Sequence, residues 1–199
     1  MICLARRVFQ AHEAAHRHIW TKDNRKRYEL LGKTISIIGL GNIGKQVAQM
    51  AEKFGMEVYF YDNREVAREV GVTLGWKACR TLTEAFRVAD FVTVHVSAED
   101  HRGRSNRNLI TYEHFAQLGA DRGPNSPRIF INAARGFIHE PEDLIRAVRE
   151  GHVQAAAVDV YPEEPTSKDE PWHNPYAGIP EIVCTPHIGA ATEEAQPRI

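Results

Sequence analysis

A doubly wound α/β fold, in which helices cover both faces of a parallel sheet, is predicted for this 199-residue chain by three observations. Strand-like and helix-like segments alternate along its length, the pattern of strands joined by helical crossovers. The apolar run Thr34-Ile35-Ser36-Ile37-Ile38 passes straight into Gly39-Leu40-Gly41-Asn42-Ile43-Gly44 and then into an amphipathic stretch ending at Phe54. A second strand-like run, Glu57-Val58-Tyr59-Phe60-Tyr61, stops at Asp62, 18 residues past Gly44.

Strand, glycines, helix, strand and acid in that order make a dinucleotide-binding fingerprint, and the fold class is Rossmann-type. The glycines act separately. Gly39 permits the tight turn, Gly41 lets the backbone approach a pyrophosphate, and Gly44 lets helix and strand pack closely. The following helix aims free N–H groups and its positive dipole end at the phosphates. Asp62, at the end of the second strand, is placed to accept from both ribose hydroxyls of an adenosine.

The remaining elements follow in order. A short helix is expected near 64–70, and Thr81-x-x-Glu84 is a capping box opening a helix through Val88. A buried-looking strand over 91–96, a helix over 111–118 and a strand over 128–132 come next. Glu140-Pro141-Glu142-Asp143 starts a helix as acids and an early proline favour, and Gly151 ends it. Strands are expected over 155–160 and 181–185. The reading is one domain, a Rossmann core over 33–199 preceded by a helical arm over 1–28.

Composition narrows the function. A formal net charge of −1 offers no global basic excess for nucleic acid. No apolar run approaches the ~18 residues of a membrane span, and the start lacks the apolar core of a signal peptide, so the expected location is cytoplasmic. Cys3, Cys79 and Cys184 are odd in number and widely spaced, which points to buried free thiols rather than disulfides or a metal site. The arm carries seven basic residues against two acids, read as a solvated face. Its His12-Glu13-Ala14-Ala15-His16 matches H-E-x-x-H, but no third ligand follows and the chain leads on into the dinucleotide fold. No metal is expected there.

Three segments sit just past predicted strands: Asn132-Ala133-Ala134-Arg135-Gly136, Asp159-Val160-Tyr161-Pro162-Glu163-Glu164-Pro165 and Thr185-Pro186-His187-Ile188-Gly189. In doubly wound sheets that carboxyl edge is where ligands bind. Together with the glycine fingerprint they resemble the D-isomer-specific 2-hydroxyacid dehydrogenases over nearly the whole chain. The intervals of 29 residues from Arg135 to Glu164 and 23 from Glu164 to His187 match the family's order of arginine, glutamate and histidine. The resemblance implies NAD as cofactor and a 2-hydroxy acid as substrate, with 3-phosphoglycerate first and hydroxypyruvate or glyoxylate as the alternative. The related NAD-sensing corepressors keep the same three residues, so a binding protein without turnover stays open as a second class.

The residues suit those roles on chemical grounds. Arg135 offers paired donors to a carboxylate and stays charged at any working pH. An imidazole such as His187 gives a proton in one direction and takes it in the other. Glu164 would pair with His187 and orient its ring; its neighbour Glu163 competes, and the match of the glutamate immediately before Pro165 decides for Glu164. By resemblance, Asn42 and Ile43 lie under the pyrophosphate, and Ala133, Ala134 and Arg135 line the nicotinamide side with His187, Ile188, Gly189 and Ala190. Asp159 faces the carboxamide, or is a strand-end acid satisfied by backbone donors. Asp62 should repel a 2′-phosphate and favour NAD over NADP, a preference Arg64 softens.

Family resemblance also implies a homodimer through the arm. Ile19 and Trp20 are then buried between protomers, the alternative being packing on the chain's own sheet. Four departures stand out: Ser97 where relatives often have proline, a long polar stretch over 119–127 read as a surface insertion, Pro197 near the start of a returning helix, and no counterpart of the family's second domain.

Overall fold

The computed structural model describes residues 1–167 and 169–195; Pro197 lies outside the described residues. Strand β1 (Thr34–Ile38) is buried along its whole length, which a strand covered on both faces requires and its isoleucines permit. It pairs in parallel with β2 (Glu57–Tyr61) on one side and β4 (Phe91–Val94) on the other. With β3 (Lys77–Ala78), β5 (Ile129–Asn132), β6 (Ala155–Val158) and β7 (Ile182–Cys184) they form one parallel sheet in the order β3-β2-β1-β4-β5-β6-β7.

The period of two along β1 feeds two cores. Ile35 and Ile37 join Ala48, Met56, Phe60 and Phe91 on one face, and Ile38 joins Phe86, Phe115, Phe130 and Leu144 on the other. Helices α3 (Asn42–Lys53), α4 (Glu65–Thr73), α5 (Leu82–Arg87), α6 (Tyr112–Ala116) and α7 (Pro141–Arg149) connect the strands. Because the chain leaves β1 for β2 and later returns beside β1 as β4, the strand order reverses there, and a crevice opens at the carboxyl ends.

Strong local signals match the structure. Thr81 Oγ1 accepts from Glu84 N at 3.0 Å, although the Glu84 carboxylate reaches back to Arg80 N at 2.6 Å, one residue upstream of the usual capping-box partner. Pro141 opens α7 and Gly151 follows it at φ +77°. Strand β3 is absent from the sequence reading, since two residues carry no periodicity. Strands β4 and β6 each stop two residues earlier than their apolar runs suggest.

The arm departs most from expectation. It is helical only in α1 (Ile2–Ala5) and α2 (Val8–His16), separated by Arg7 at φ +53°. Beyond His16 the backbone is occupied with side-chain bonds that compete with a helix: Asp23 Oδ1 accepts from Arg25 N at 3.0 Å, and Arg27 Nη1 donates to the carbonyls of Thr21 and Asp23. Leu4 and Ala5 enter the core, whereas Trp20 is 87% exposed and Ile19 55%, so the chain's own sheet does not cover them. His12 and His16 share a face of α2 with ring centroids 4.4 Å apart. No cluster of three metal-binding side chains occurs among the described residues.

Two smaller expectations change. Cys79 is buried and Cys184 half-buried, but Cys3 is exposed. The polar stretch over 119–127 is exposed at its tip yet anchored, because Arg122 Nε lies 3.4 Å from the buried Asp90 carboxylate, which also accepts from Thr34 N at the start of β1. No described helix is long and apolar enough to cross a membrane.

Burial pushes three imidazoles down: His95 to about 4, and His114 and His139 below their ordinary value. All three hold a proton less readily in the fold than in the unfolded chain, where imidazoles take up protons near pH ~6.5. The unfolded state therefore binds more protons as pH falls, and stability should be lost from about pH 6.5 downward, above the carboxylate range. Thermal melts between about pH 7.5 and pH 5 should show a falling Tm, with a shallower slope for His139→Leu; a flat profile would contradict this account.

Candidate active site

The glycine turn meets its three requirements in distinct ways. Gly39 has φ +93°, and a Cβ there would stand 2.8 Å from His95 O on the neighbouring strand's exit. A Cβ on Gly44 would overlap the Gly39 carbonyl, so α3 packs onto the turn only through hydrogen. A Cβ on Gly41 would meet nothing, and Gly41 begins α3 with no side-chain cap. That leaves the first turn, with Asn42 and Ile43 exposed, facing open space with unsatisfied N–H groups and the positive end of the helix dipole.

These differences predict a separation of effects. Gly44→Ala should lower Tm by several degrees, since backbone must move. Gly41→Ala should leave Tm nearly unchanged but weaken dinucleotide binding about tenfold or more, because the methyl occupies the phosphate's approach. Melts and calorimetric titrations of both variants test this. Equal Tm losses would refute it.

Asp62 closes the adenosine side. Its carboxylate accepts from Leu40 N at 2.8 Å and Arg64 N at 2.9 Å, and from Arg64 Nε and Nη2 at 3.0 and 2.7 Å. Burial pushes this carboxyl up, but the Arg64 fork and the two backbone bonds together outweigh it and hold the group below the usual carboxylate range. Beside it lies a cavity of about 310 Å³ lined by Gly41, Asp62, Arg64, His95, Ser97 and Asn106. The Ser97 hydroxyl donates to Glu99 O, and Asn106 Nδ2 donates to Ser97 O at 2.9 Å. These bonds shape the loop after β4.

At the carboxyl edge the turns after β5, β6 and β7 converge. Asn132, fully buried, accepts from Ala134 N and donates to Arg135 O, both at 3.0 Å, and so sets the turn that presents Ala133 and Arg135. A Cβ on Gly136 would overlap the Tyr161 carbonyl, and this close approach puts the arginine turn against the glutamate turn. Arg135 is exposed, with Nη1 donating to Ala134 O at 2.6 Å. Glu164 Oε1 accepts from Tyr161 N at 2.9 Å, and its Oε2 lies 2.7 Å from His187 Nδ1. Glu163 instead contributes its backbone carbonyl to Trp172 Nε1.

His187 adopts φ +51°, a left-handed conformation that costs a non-glycine residue energy and is held only where neighbours enforce it. Asp159 is the enforcer. Its Oδ1 accepts from Thr185 Oγ1 at 2.6 Å and Ile188 N at 2.9 Å, and its Oδ2 from Gly189 N at 2.8 Å. The carboxylate thus clamps the histidine loop through backbone donors, and Oδ2 retains an acceptor position for a ligand. Tyr161 Oη adds a bond to Thr185 O at 3.0 Å. Ile188, Gly189 and Ala190 are exposed beyond the clamp.

Sequence reasoning missed Asn132, Tyr161 and Thr185 as positioning residues and the Arg64 fork on Asp62. Only Arg64 left a signal, two residues from the acid. Glycine turn, acid and histidine loop together fit a nicotinamide dinucleotide: open backbone where a pyrophosphate would lie, a carboxylate at the ribose position, and a strained loop fixed at the chemical end.

Comparison with known proteins agrees. The sequence profile for the D-isomer specific 2-hydroxyacid dehydrogenase NAD binding domain matches residues 1–189. The chain is 38% identical to D-3-phosphoglycerate dehydrogenase of Haemophilus influenzae and 36% identical to that of Methanocaldococcus jannaschii, over 100% and 98% of its length. It spans only 45% and 34% of those two proteins. Among solved structures, a phosphoglycerate oxidoreductase from Vibrio cholerae is similar at 27% identity and TM-score 0.80, covering 97% of this chain and 57% of that one. A glyoxylate reductase from Paecilomyces thermophila is similar at 25% identity and TM-score 0.79, covering 100% and 55%. The chain belongs to the D-isomer specific 2-hydroxyacid dehydrogenases as their NAD binding domain, and NAD is its cofactor.

Proposed function

We propose that this domain serves a dehydrogenase that interconverts a 2-hydroxy acid and its 2-oxo acid, with 3-phosphoglycerate as the substrate. The observation that carries the reading is the 2.7 Å contact between His187 Nδ1 and Glu164 Oε2 on a loop beside the Arg135 turn. With Nδ1–H given to the carboxylate, Nε2 is the nitrogen that takes the substrate's hydroxyl proton in oxidation and returns it in reduction. Arg135 holds the substrate carboxylate with the donors not engaged by Ala134 O. Bound NAD supplies the hydride acceptor. Asp159 and Tyr161 keep the proton donor in place through Thr185 and the backbone of Ile188 and Gly189.

The substrate rests on the two curated relatives, both called D-3-phosphoglycerate dehydrogenase. Steady-state assays of the protein as it occurs, with any segments that accompany residues 1–199, test it. Oxidation of 3-phosphoglycerate, or reduction of its 2-oxo partner, should give the highest kcat/KM. Faster turnover of hydroxypyruvate or glyoxylate would move the assignment to a reductase like the structural relative of that name. NAD binding without turnover of any 2-hydroxy acid would favour an NAD-sensing protein. We also propose a cytoplasmic homodimer formed through the arm, supported by the exposed Val8, Phe9, Ile19 and Trp20.

A further inference from the structure

The Asp62 carboxylate is full. Ionised, it offers about four acceptor positions, and four donors occupy them: Leu40 N and Arg64 Nη2 on Oδ2, Arg64 N and Arg64 Nε on Oδ1. The donors fall into two kinds. One on each oxygen is a backbone N–H, fixed by the turns after β1 and β2. The other on each oxygen comes from a single guanidinium whose side chain is 43% exposed, while that of Asp62 is 4% exposed.

A ribose presents the same two-pronged donor in its vicinal hydroxyls. A carboxylate can take the fork or the diol on its outward positions, but not both. The two backbone bonds stay in either case, so the acid need not move. The guanidinium must.

We infer that Arg64 is a specificity-determining residue that occupies the ribose acceptors of Asp62 in the free protein and yields them to the NAD diol by swinging aside. The inference rests on the assignment of NAD to this site. Displacing the fork lowers the apparent affinity for NAD by the fraction of molecules in which Arg64 has already left. A 2′-phosphorylated dinucleotide meets the opposite balance. It brings one hydroxyl fewer and a charge of about −1.5 to −2, which Asp62 alone would repel and the tethered guanidinium would pair. Asp100, a second carboxylate on the cavity wall, does not draw Arg64 away, since it already takes Arg104 Nε at 2.8 Å and the backbone N–H groups of Arg102 and Arg104 at 2.8 and 3.0 Å. Arg64 therefore costs NAD affinity and contributes NADP affinity.

Calorimetric titration of the chain with NAD and with NADP, for wild type, Arg64→Ala and Arg64→Lys, tests this. Arg64→Ala should bind NAD about three- to tenfold tighter, the worth of a partly exposed charged fork, and NADP about tenfold weaker. Arg64→Lys should fall between, because an ammonium is a point charge and holds one acceptor well, not two. The Arg64 Nε–H resonance should shift when NAD is added to wild type. Unchanged or weaker NAD binding by Arg64→Ala would overturn the proposal, and weaker binding would show the guanidinium holding the nucleotide instead. If neither wild type nor variant bound either dinucleotide, the cofactor site itself would fall with it, an outcome distinct from NAD binding that ignores Arg64.

Discussion

His187→Gln should lower turnover of the 2-hydroxy acid by about 10²–10⁴-fold, the usual worth of a positioned general acid–base, with NAD affinity little changed. Glutamine keeps polarity but cannot exchange a proton in either direction. The cofactor-side backbone should survive the change, because the clamp from Asp159 reaches Ile188 and Gly189 through main-chain N–H groups rather than through the imidazole. Arg135→Ala should act differently, raising KM and lowering kcat together, since a carboxylate holder contributes in both the ground and transition states. Stopped-flow and steady-state assays of the protein as it occurs separate these effects. A His187→Gln protein that kept more than about a tenth of the rate would remove the imidazole from the chemistry.

Residues 1–199 by themselves should fold and bind NAD but show almost no turnover. Every cofactor contact proposed above lies within them, from the turn at Gly39 to the loop at Ala190. The chemical end is another matter: Arg135, Glu164 and His187 are all exposed. Holding a reactant in geometry supplies ~7–11 kcal/mol of a barrier, and an open site forfeits much of it. The chain spans less than half of the two curated relatives quoted, so most of their length lies outside the matched region. Calorimetry with NAD beside an NADH-oxidation assay with hydroxypyruvate checks both halves, and brisk turnover would show that the exposed site needs no further cover. Light scattering of wild type and Trp20→Ala tests the dimer in the same samples, with a wild-type monomer contradicting the arm's proposed role.

The candidate residues of the site are legible because its pieces are local. Gly39, Gly41 and Gly44 declare themselves by spacing, and Asp62, Arg135 and His187 each follow a strand whose apolar run is plain. Glu164 needs the Pro165 context to be told from Glu163. The expected helix over 1–28 stops at His16 because Thr21, Asp23 and Asn24 favour turns.

What the sequence determined by itself is the order of the elements other than β3 and which candidate residues follow the strands, since periodicity and glycine spacing act within one turn or one strand. Only the tertiary structure decided how those groups are held. The overlap that a side chain on Gly136 would make with Tyr161, the Asp159 clamp on a left-handed His187, and the anchoring of Arg122 by Asp90 join residues 25 to 32 positions apart. No local propensity encodes such contacts. They arise because a parallel sheet brings its strand ends into one row, where buried or half-buried carboxylates take whatever donors the neighbouring turns present. The Arg64 fork shows the limit from the other side: the two residues are close in sequence, yet only the filled acceptors of a buried Asp62 reveal that the guanidinium competes with a ligand.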